Sequence, residues 1–229
     1  MTIVAHDIGP VGGMERQLSE LVSGLLSRGV GVTVISRTCE LGPHPHLRWV
    51  RVPGPARPFV LAYPWFFLVG SILVRRNRSG VLHTTGAIVA NRADVCTVHF
   101  CHRGGGRLLL RARRQRWTYR LNAALAAPMS RLGELLLYRS RRVQVLVAVS
   151  NGLAAELIAT LPGATVTVIP NGVDIGRFHP DDSARAVTRA ALGVGPQESI
   201  ALFVGNEWEG KGLVLAMDAV ARAPGWRLV

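Results

Sequence analysis

The sequence contains a single lysine, Lys211, among its 27 lysine and arginine residues. Lys211 stands in the pattern Gly205-x5-Lys211-Gly212, in a loop between a predicted strand and a predicted helix. The compact ammonium of lysine fits between phosphate oxygens where the planar guanidinium of arginine does not. We therefore interpret Lys211 as a ligand for a diphosphate. The alternative is that it is a chance remnant in an arginine-rich chain.

A glycine-rich turn, Gly9-Pro-Val-Gly12-Gly13, follows the first predicted strand and opens a helix. Backbone N–H groups at such a helix terminus can hold an anion, although a tight turn needs glycine for its geometry alone. The spacing is not Gly-x-Gly-x-x-Gly, and the second predicted strand ends at Arg37 without the acidic residue that binds a ribose. These differences disfavour an NADP-dependent oxidoreductase in which Arg37 would bind the 2′-phosphate.

Two histidines stand where the fifth predicted strand ends, in the run Thr97-Val-His99-Phe-Cys101-His102. A histidine there can orient a sugar or share charge with a reacting centre, or it can be a structural residue that hydrogen-bonds to the backbone. Cys96, His99, Cys101 and His102 are metal-binding types, but no second ligand pair at zinc-like spacing follows, so we predict no metal site. The three cysteines form no Cys-x-x-Cys pair and are predicted to be reduced thiols.

Short apolar runs alternate with longer helical stretches, a pattern typical of parallel βαβ units. The predicted strands cover residues 2–6, 31–36, 47–52, 81–85, 95–99, 146–149, 165–169 and 200–205. A helix is predicted over residues 13–28, ending at Gly29, and another after Ser150, a residue type that favours the N-cap. The fold class is therefore α/β, with a Rossmann-like doubly wound parallel sheet.

Two further runs carry a family resemblance, VIPNGVDIGRF at residues 168–178 and ALFVGNEWEGKGL at residues 201–213. They resemble the interdomain linker and the opening of the nucleotide-sugar domain in the retaining GT-B glycosyltransferases of family 4. With the turn at Gly12 and Gly13, the resemblance spans essentially the whole chain. It implies a GT-B fold, with an amino-terminal acceptor-side domain over residues 1–168 and the linker and start of a truncated donor domain over residues 169–229.

The resemblance also implies roles for individual residues. Gly12 and Gly13 would lie beside the donor phosphates and the acceptor, His99 would face the sugar, and Lys211 would neutralise the departing diphosphate. The other residues assigned to donor or acceptor binding are His102, Ser150, Asn171, Gly172, Gly205 and Asn206. Within the linker, we expect residues 171–174 to set the crossing between the domains rather than to touch substrate.

The implied activity is transfer of a sugar, with retention of configuration, from a nucleotide-diphosphate donor to a glycan or lipid-linked acceptor. The setting would be cell-envelope or polysaccharide synthesis, and no metal or other cofactor is expected.

Two departures from the family pattern stand out. Asn206 occupies a position where many members carry arginine, and the family's pair of glutamates is absent before Val229, so we expect a fragment that is inactive alone.

The net charge of +13 favours anionic partners. Residues 103–142 contain eleven arginines interleaved with leucine and aromatic residues, which indicates either a solvated helix face or a surface for anionic lipid. Residues 58–74 are shorter than the roughly 20 apolar residues of a membrane span, so we expect a buried or interface helix there. No nucleic-acid signature is present, and nucleic acid is not an expected partner.

The amino terminus, MTIVAHDIG, lacks the basic and long apolar regions of a secretory signal. The protein is therefore expected in the cytoplasm, with possible peripheral contact at the inner face of the plasma membrane. The alternative function is a non-catalytic, membrane-associated module that binds a polyanion.

Overall fold

The computed structural model describes residues 1–10, 12–102, 117–138, 142–205 and 208–229. These residues form two compact units, Met1–Gly172 and Val173–Val229; the sequence prediction had divided the domains between residues 168 and 169. Of the arginine-rich residues 103–142, the structure describes only residues 117–138 and Arg142, and Asn206 also lies outside the described residues.

The first unit is built on a seven-stranded parallel sheet. Its strands run in the order β5-β3-β1-β6-β7-β8-β9. Along the chain they are β1 (Thr2–Val4), β3 (Val32–Ser36), β5 (Leu47–Arg51), β6 (Leu82–Thr85), β7 (Ala93–Val98), β8 (Val143–Ala148) and β9 (Val166–Val168). All seven strands predicted for this region are confirmed. Their ends differ from the predicted ends by up to about three residues, the usual uncertainty at element boundaries.

Two very short strands were not predicted. β2 (Asp7–Ile8) and β4 (Thr38–Cys39) pair in parallel just beyond the ends of β1 and β3. A two-residue strand carries no alternation of apolar and polar side chains, so the sequence pattern could not reveal it.

The described helices of the first unit are α1 (Gly13–Leu26), α2 (Phe59–Asn77), α3 (Trp117–Tyr138) and α4 (Asn151–Thr160). Successive residues of β1 face opposite sides of the sheet. Ile3 packs with Leu18 of α1, whereas Val4 packs with Phe66 of α2. The α3 and α4 helices pack on the same face as α2, because Leu137 and Leu153 belong to the cluster around strand residues that share the Val4 side.

The strand order reverses between β1 and β6, because the chain builds outward from β1 through β3 and β5 before it returns through β6 to β9. In doubly wound sheets, ligands bind beside the carboxyl ends of the strands at such a switch point. The loops that follow β1, β6 and β7 therefore form the edge where a functional site is expected.

The second unit contains β10 (Ser199–Ala201) and β11 (Trp226–Leu228), which pair in parallel. Its helices in the described residues are α5 (Asp182–Ala191), α6 (Trp208–Lys211) and α7 (Leu213–Ala221). The strand predicted over residues 200–205 is confirmed but ends earlier. Among the described hydrophobic residues of this unit only Val194 is buried, so most of its apolar surface is uncovered.

Candidate functional site

The glycine turn places Gly12 at the N-cap of α1, where the backbone has φ +94°. No side chain caps this helix end, so the described first-turn N–H groups are left for a ligand or water. A side chain at Gly12 would also overlap the carboxylate of Glu15, whereas nothing lies within 4 Å of the corresponding position at Gly13. Gly12 is thus required by conformation and by space, and Gly13 is not.

We expect Gly12→Ala to lower the free energy of unfolding by about 1–2 kcal/mol, because a side chain in the left-handed region meets its own backbone. Gly13→Ala is the matched control and should change stability by less than about 0.5 kcal/mol, since open space surrounds that position. Urea unfolding of both variants measures the difference. Equal stability of the two variants would show that the folded protein does not require a positive φ at Gly12.

His99 follows the end of β7 and lies near the first turn of α1. Burial lowers the pKa of His99, and the Glu15 carboxylate raises it in part. The His99 Nε2 atom is buried and has no hydrogen-bond partner in the described part of the chain. A buried polar atom without a partner is costly, so this nitrogen is suited to a hydrogen bond with a ligand or water. The structure thus brings His99, Glu15 and Gly12 together at the switch-point edge.

A second histidine lies beside His99 inside the sheet. His83 Nε2 is 2.8 Å from Thr97 Oγ1, and burial, followed by the charge of His99, lowers the pKa of His83 to about 4. His83 is therefore neutral at physiological pH, and its ring is held by the hydrogen bond with the Thr97 hydroxyl.

His6 is a residue that the sequence reasoning missed, because it was absorbed into the first predicted strand. Its ring packs edge-on against Phe66 with centroids 4.4 Å apart, and its Nδ1 atom is buried without a partner in the described residues. Burial, followed by the charge of Arg37, lowers the pKa of His6 to about 4, against the opposing effect of Asp7. The available signal was its place at the carboxyl end of the strand beside the switch point.

Arg37 is already engaged within the protein. Its guanidinium forms an ion pair with Asp7, whose other carboxylate oxygen accepts a hydrogen bond from Thr38 Oγ1 at 2.8 Å. The Arg37 backbone N–H donates to the His6 carbonyl at 2.9 Å. A guanidinium held by a carboxylate is poorly placed to bind a 2′-phosphate, which argues against the oxidoreductase alternative.

His102 and Ser150 have defined local roles. The His102 backbone N–H donates to Glu134 Oε1 at 2.9 Å, and its ring packs edge-on against Phe100. Partial burial and the charge of Arg131 lower the pKa of His102. Ser150 caps α4 as expected, because its Oγ accepts a hydrogen bond from the Leu153 N–H at 3.2 Å. Their predicted contacts with donor or acceptor stay predictions.

Cys96 and Cys101, near the histidines at the end of β7, lie in the hydrophobic core rather than at the carboxyl edge of the sheet. Cys96 and Cys101 belong to the same buried cluster, and burial raises the pKa of the Cys96 thiol. The described residues contain no group of three or more histidine, cysteine, aspartate or glutamate side chains arranged to hold a metal ion. A protonated, buried thiol is a poor metal ligand.

In the second unit, the structure brings Gly205 and Lys211 together. A Cβ at Gly205 would lie 3.2 Å from Lys211 Cγ, so the missing side chain leaves room for the aliphatic part of the lysine. Lys211 was predicted in a loop, but it is the last residue of the four-residue helix α6. It is exposed and forms no ion pair with a side chain that the structure describes. Within the described part of the chain, no carboxylate engages its ammonium.

The linker residues form an ordered turn. Asp174 Oδ1 accepts hydrogen bonds from the N–H groups of Gly176 at 2.9 Å and Arg177 at 3.1 Å. Asn171 and Gly172 are exposed and immediately precede the division between the two units. The expected role of this run at the crossing and the expected contacts of Asn171 and Gly172 with substrate stay predictions.

Comparison with known proteins identifies relatives of the whole chain. It is 31% identical over 243 residues to the D-inositol 3-phosphate glycosyltransferase of Segniliparus rotundus, an alignment that covers 96% of this chain and 53% of the relative. The protein of that name from Actinosynnema mirum is 30% identical over 221 residues, covering 86% and 51% of the two chains. The chain therefore spans about half the length of the curated relatives it matches.

Two solved structures share the fold. A crystal structure of WaaG, a glycosyltransferase involved in lipopolysaccharide biosynthesis, superposes with a TM-score of 0.75 at 15% identity, covering 99% of this chain and 62% of WaaG. Sucrose-phosphate synthase from Thermosynechococcus elongatus gives 0.70 at 18% identity, covering 99% and 60%. These likenesses confirm the predicted GT-B architecture. Residues 11–177 match the family model for Glycosyltransferase Family 4, and the chain belongs to that family.

Proposed function

We propose that this chain supplies the acceptor domain and the first part of the donor domain of a retaining glycosyltransferase. The enzyme would move a sugar from a nucleotide-diphosphate donor to a glycan or lipid-linked acceptor during cell-envelope or polysaccharide synthesis. The observation that carries the proposal is the uncapped start of α1 at Gly12, with His99 and Glu15 beside it at the switch-point edge. The match to Glycosyltransferase Family 4 and the names of the curated relatives support sugar transfer.

The reaction breaks the bond between the anomeric carbon and the diphosphate oxygen, and the electron pair leaves on the diphosphate. An acceptor hydroxyl forms the new bond to that carbon, and its proton passes to the departing diphosphate oxygen. Lys211 would neutralise the charge that develops on the diphosphate, an interaction that strengthens in the transition state. His99 would donate or accept a hydrogen bond at a sugar hydroxyl through Nε2, because that atom lacks a partner in the described protein.

We further propose that no metal is needed. Lys211 supplies a positive charge, and backbone N–H groups at helix termini add partial positive charge. These groups can stabilise a leaving diphosphate in place of a divalent cation. The proposed location is the cytoplasm, with peripheral contact at the inner face of the plasma membrane.

The proposal can be tested on a protein in which this chain continues into a complete donor domain, extended where necessary with that of a curated relative. Released nucleoside diphosphate and labelled product would be measured for a panel of nucleotide sugars with chelator present, and the anomeric configuration determined by NMR. We expect transfer with retention. An inverted product, or dependence of transfer on a divalent metal, would contradict the proposed chemistry.

In the same protein, His99→Ala should lower kcat by about tenfold or more, because one hydrogen bond that orients the sugar is lost. The donor KM should change little if the nucleotide is held mainly by the donor domain. His46→Ala, at an exposed histidine on the first unit, is the control and should leave both constants unaltered. A normal kcat for His99→Ala would remove His99 from the site.

A further inference from the structure

The outward side of α2 carries a row of exposed apolar side chains. They recur at positions i, i+4, i+7 and i+11 and so form one stripe along the helix. The stripe consists of Leu61, Trp65, Leu68 and Ile72. The opposite side of α2 packs into the core through Ala62, Phe66, Gly70 and Val74. Because exposed apolar patches on this scale are rare on soluble monomers, the stripe indicates a binding surface.

The neighbouring helix α3 extends this surface. Its exposed leucines, Leu125, Leu132 and Leu136, again lie on the side away from the core. The two helices are in contact, since the Val60 N–H donates to Asn122 Oδ1 at 3.2 Å. The α2–α3 face, defined as these three leucines and the four residues of the α2 stripe, exposes between 47% and 62% of each side chain.

The described charged side chains on the two helices of the α2–α3 face are basic where they are exposed. Helix α3 carries the exposed Arg131, and its one acidic residue, Glu134, is buried. Arg75 and Arg76 are exposed at the carboxyl end of α2. An apolar stripe bordered by arginines matches a bilayer surface, which offers acyl chains beneath anionic headgroups.

Trp65 is also suited to a bilayer surface. Its ring is half exposed in the stripe, while its Nε1–H donates to the Pro53 carbonyl at 2.6 Å. An amphipathic ring of this kind favours the boundary between headgroups and acyl chains.

We propose that the α2–α3 face docks onto an anionic membrane, lying in the headgroup region with its apolar side chains against the acyl chains. Among the described residues, α2 is the one helix long and apolar enough to cross a bilayer by length and composition. It cannot do so in this fold because one whole side of it packs against the sheet. The helix therefore lies along the membrane. This inference does not rest on sugar transfer and can fail separately from it.

A second copy of the chain is a poorer partner for this surface. Pairing two α2–α3 faces would bury apolar area but would also bring together two surfaces that each carry the exposed Arg75, Arg76 and Arg131. Like charges across an interface oppose association. Anionic headgroups instead neutralise them.

The test is co-sedimentation of the chain with vesicles in about 150 mM salt, which is the physiological ionic strength. Vesicles of phosphatidylcholine alone are compared with vesicles that also contain phosphatidylglycerol. We expect binding to the anionic vesicles to exceed binding to the neutral ones by at least about tenfold, and to weaken as salt is raised. Equal binding to both compositions, or none to either, would overturn the proposal.

Leu68→Glu should lower partitioning into anionic vesicles by at least about tenfold, because a charge replaces an apolar contact in the stripe. Ile158→Glu, at a similarly exposed position on α4, is the matched control and should bind normally. Circular dichroism and an unfolding curve would check that both variants fold. Equal losses in the two variants would show that the stripe is not the contact.

Replacing Arg75 and Arg76 with glutamine should lower binding to anionic vesicles by about fivefold for each arginine removed. Binding to neutral vesicles should not change. Sedimentation velocity without lipid completes the test. A dimer that Leu68→Glu dissociates would identify the occupant as a second copy of the chain and overturn the membrane assignment.

Discussion

Lys211→Ala is expected to lower kcat/KM for sugar transfer by about tenfold to a hundredfold in a protein that contains this chain and a complete donor domain. A hydrogen bond to a charged group is worth about 1.5–3 kcal/mol, and each 1.36 kcal/mol corresponds to about a tenfold change in rate. Much of the loss should appear in kcat, because negative charge accumulates on the diphosphate as the sugar leaves. The exposed Lys211 side chain beside Gly205 is the structural basis of this expectation.

Two further variants separate charge from geometry. Lys211→Arg keeps the charge but spreads it over a larger plane, so it should restore activity only in part. Arg222→Ala removes a positive charge from an exposed position at the end of α7 and should be close to wild type. Steady-state kinetics, with unfolding curves as a check on the fold, measures all three. Wild-type activity in Lys211→Ala would show that the single lysine has no role in the reaction.

Acidification from pH 6.5 to pH 5 should destabilise the first unit by about 1.5 kcal/mol for each of His6 and His83. Burial lowers the pKa of each from 6.5 to about 4 in the fold. The unfolded chain therefore takes up protons first as the pH falls below 6.5, and the stabilisation is lost progressively between pH 6.5 and pH 4. The window above pH 5 avoids most of the titration of carboxylates.

Urea unfolding at a series of pH values would measure this slope. His83→Gln can keep a hydrogen bond to Thr97 but cannot titrate, so it should remove the share of the pH dependence that His83 contributes and leave the share of the other buried histidines. His179→Gln, at an exposed histidine in the second unit, provides the matched substitution. A slope in His83→Gln equal to that of the wild type would mean that His83 is protonated in the fold or that the ring is not buried.

The sequence predicted the sheet well because its strands are buried on both faces and read as continuous apolar runs. Ile3 and Val4 illustrate this, since they point to opposite faces and both lie in the core. The helix after Ser150 was predictable from a local rule, the capping hydroxyl. The pairing of β2 with β4 was not, because it depends on how two strand ends meet in space.

The site was predicted less completely than the fold. Gly12 and His99 were recognised by residue type and position, but the approach of Glu15 to both depends on how α1 packs across the sheet. His6 was hidden inside a predicted strand. The ion pair of Arg37 with Asp7 joins residues thirty positions apart, and no local pattern encodes such a contact.

The buried side of α2 could not be predicted from its composition. Its sequence is apolar almost throughout, so that only tertiary packing distinguishes the side that contacts Val4 and Ile35 from the side that faces outward. For residues 103–142 the sequence left a solvated helix face and a lipid-binding surface open. The proposed α2–α3 face takes three leucines from that range and adds the α2 stripe, which the sequence pattern did not single out.

The most direct test of the proposed function compares sugar transfer by the 229-residue chain with transfer by the same chain joined to a complete donor domain, at equal concentration and with the same donors and acceptors. The joined protein should release nucleoside diphosphate and form a glycosylated product. The chain alone should form none, because proximity of donor and acceptor requires both domains. Robust turnover by the chain alone, or a folded joined protein that binds nucleotide sugars but transfers none to any acceptor tested, would contradict the assignment as the acceptor-side part of a glycosyltransferase.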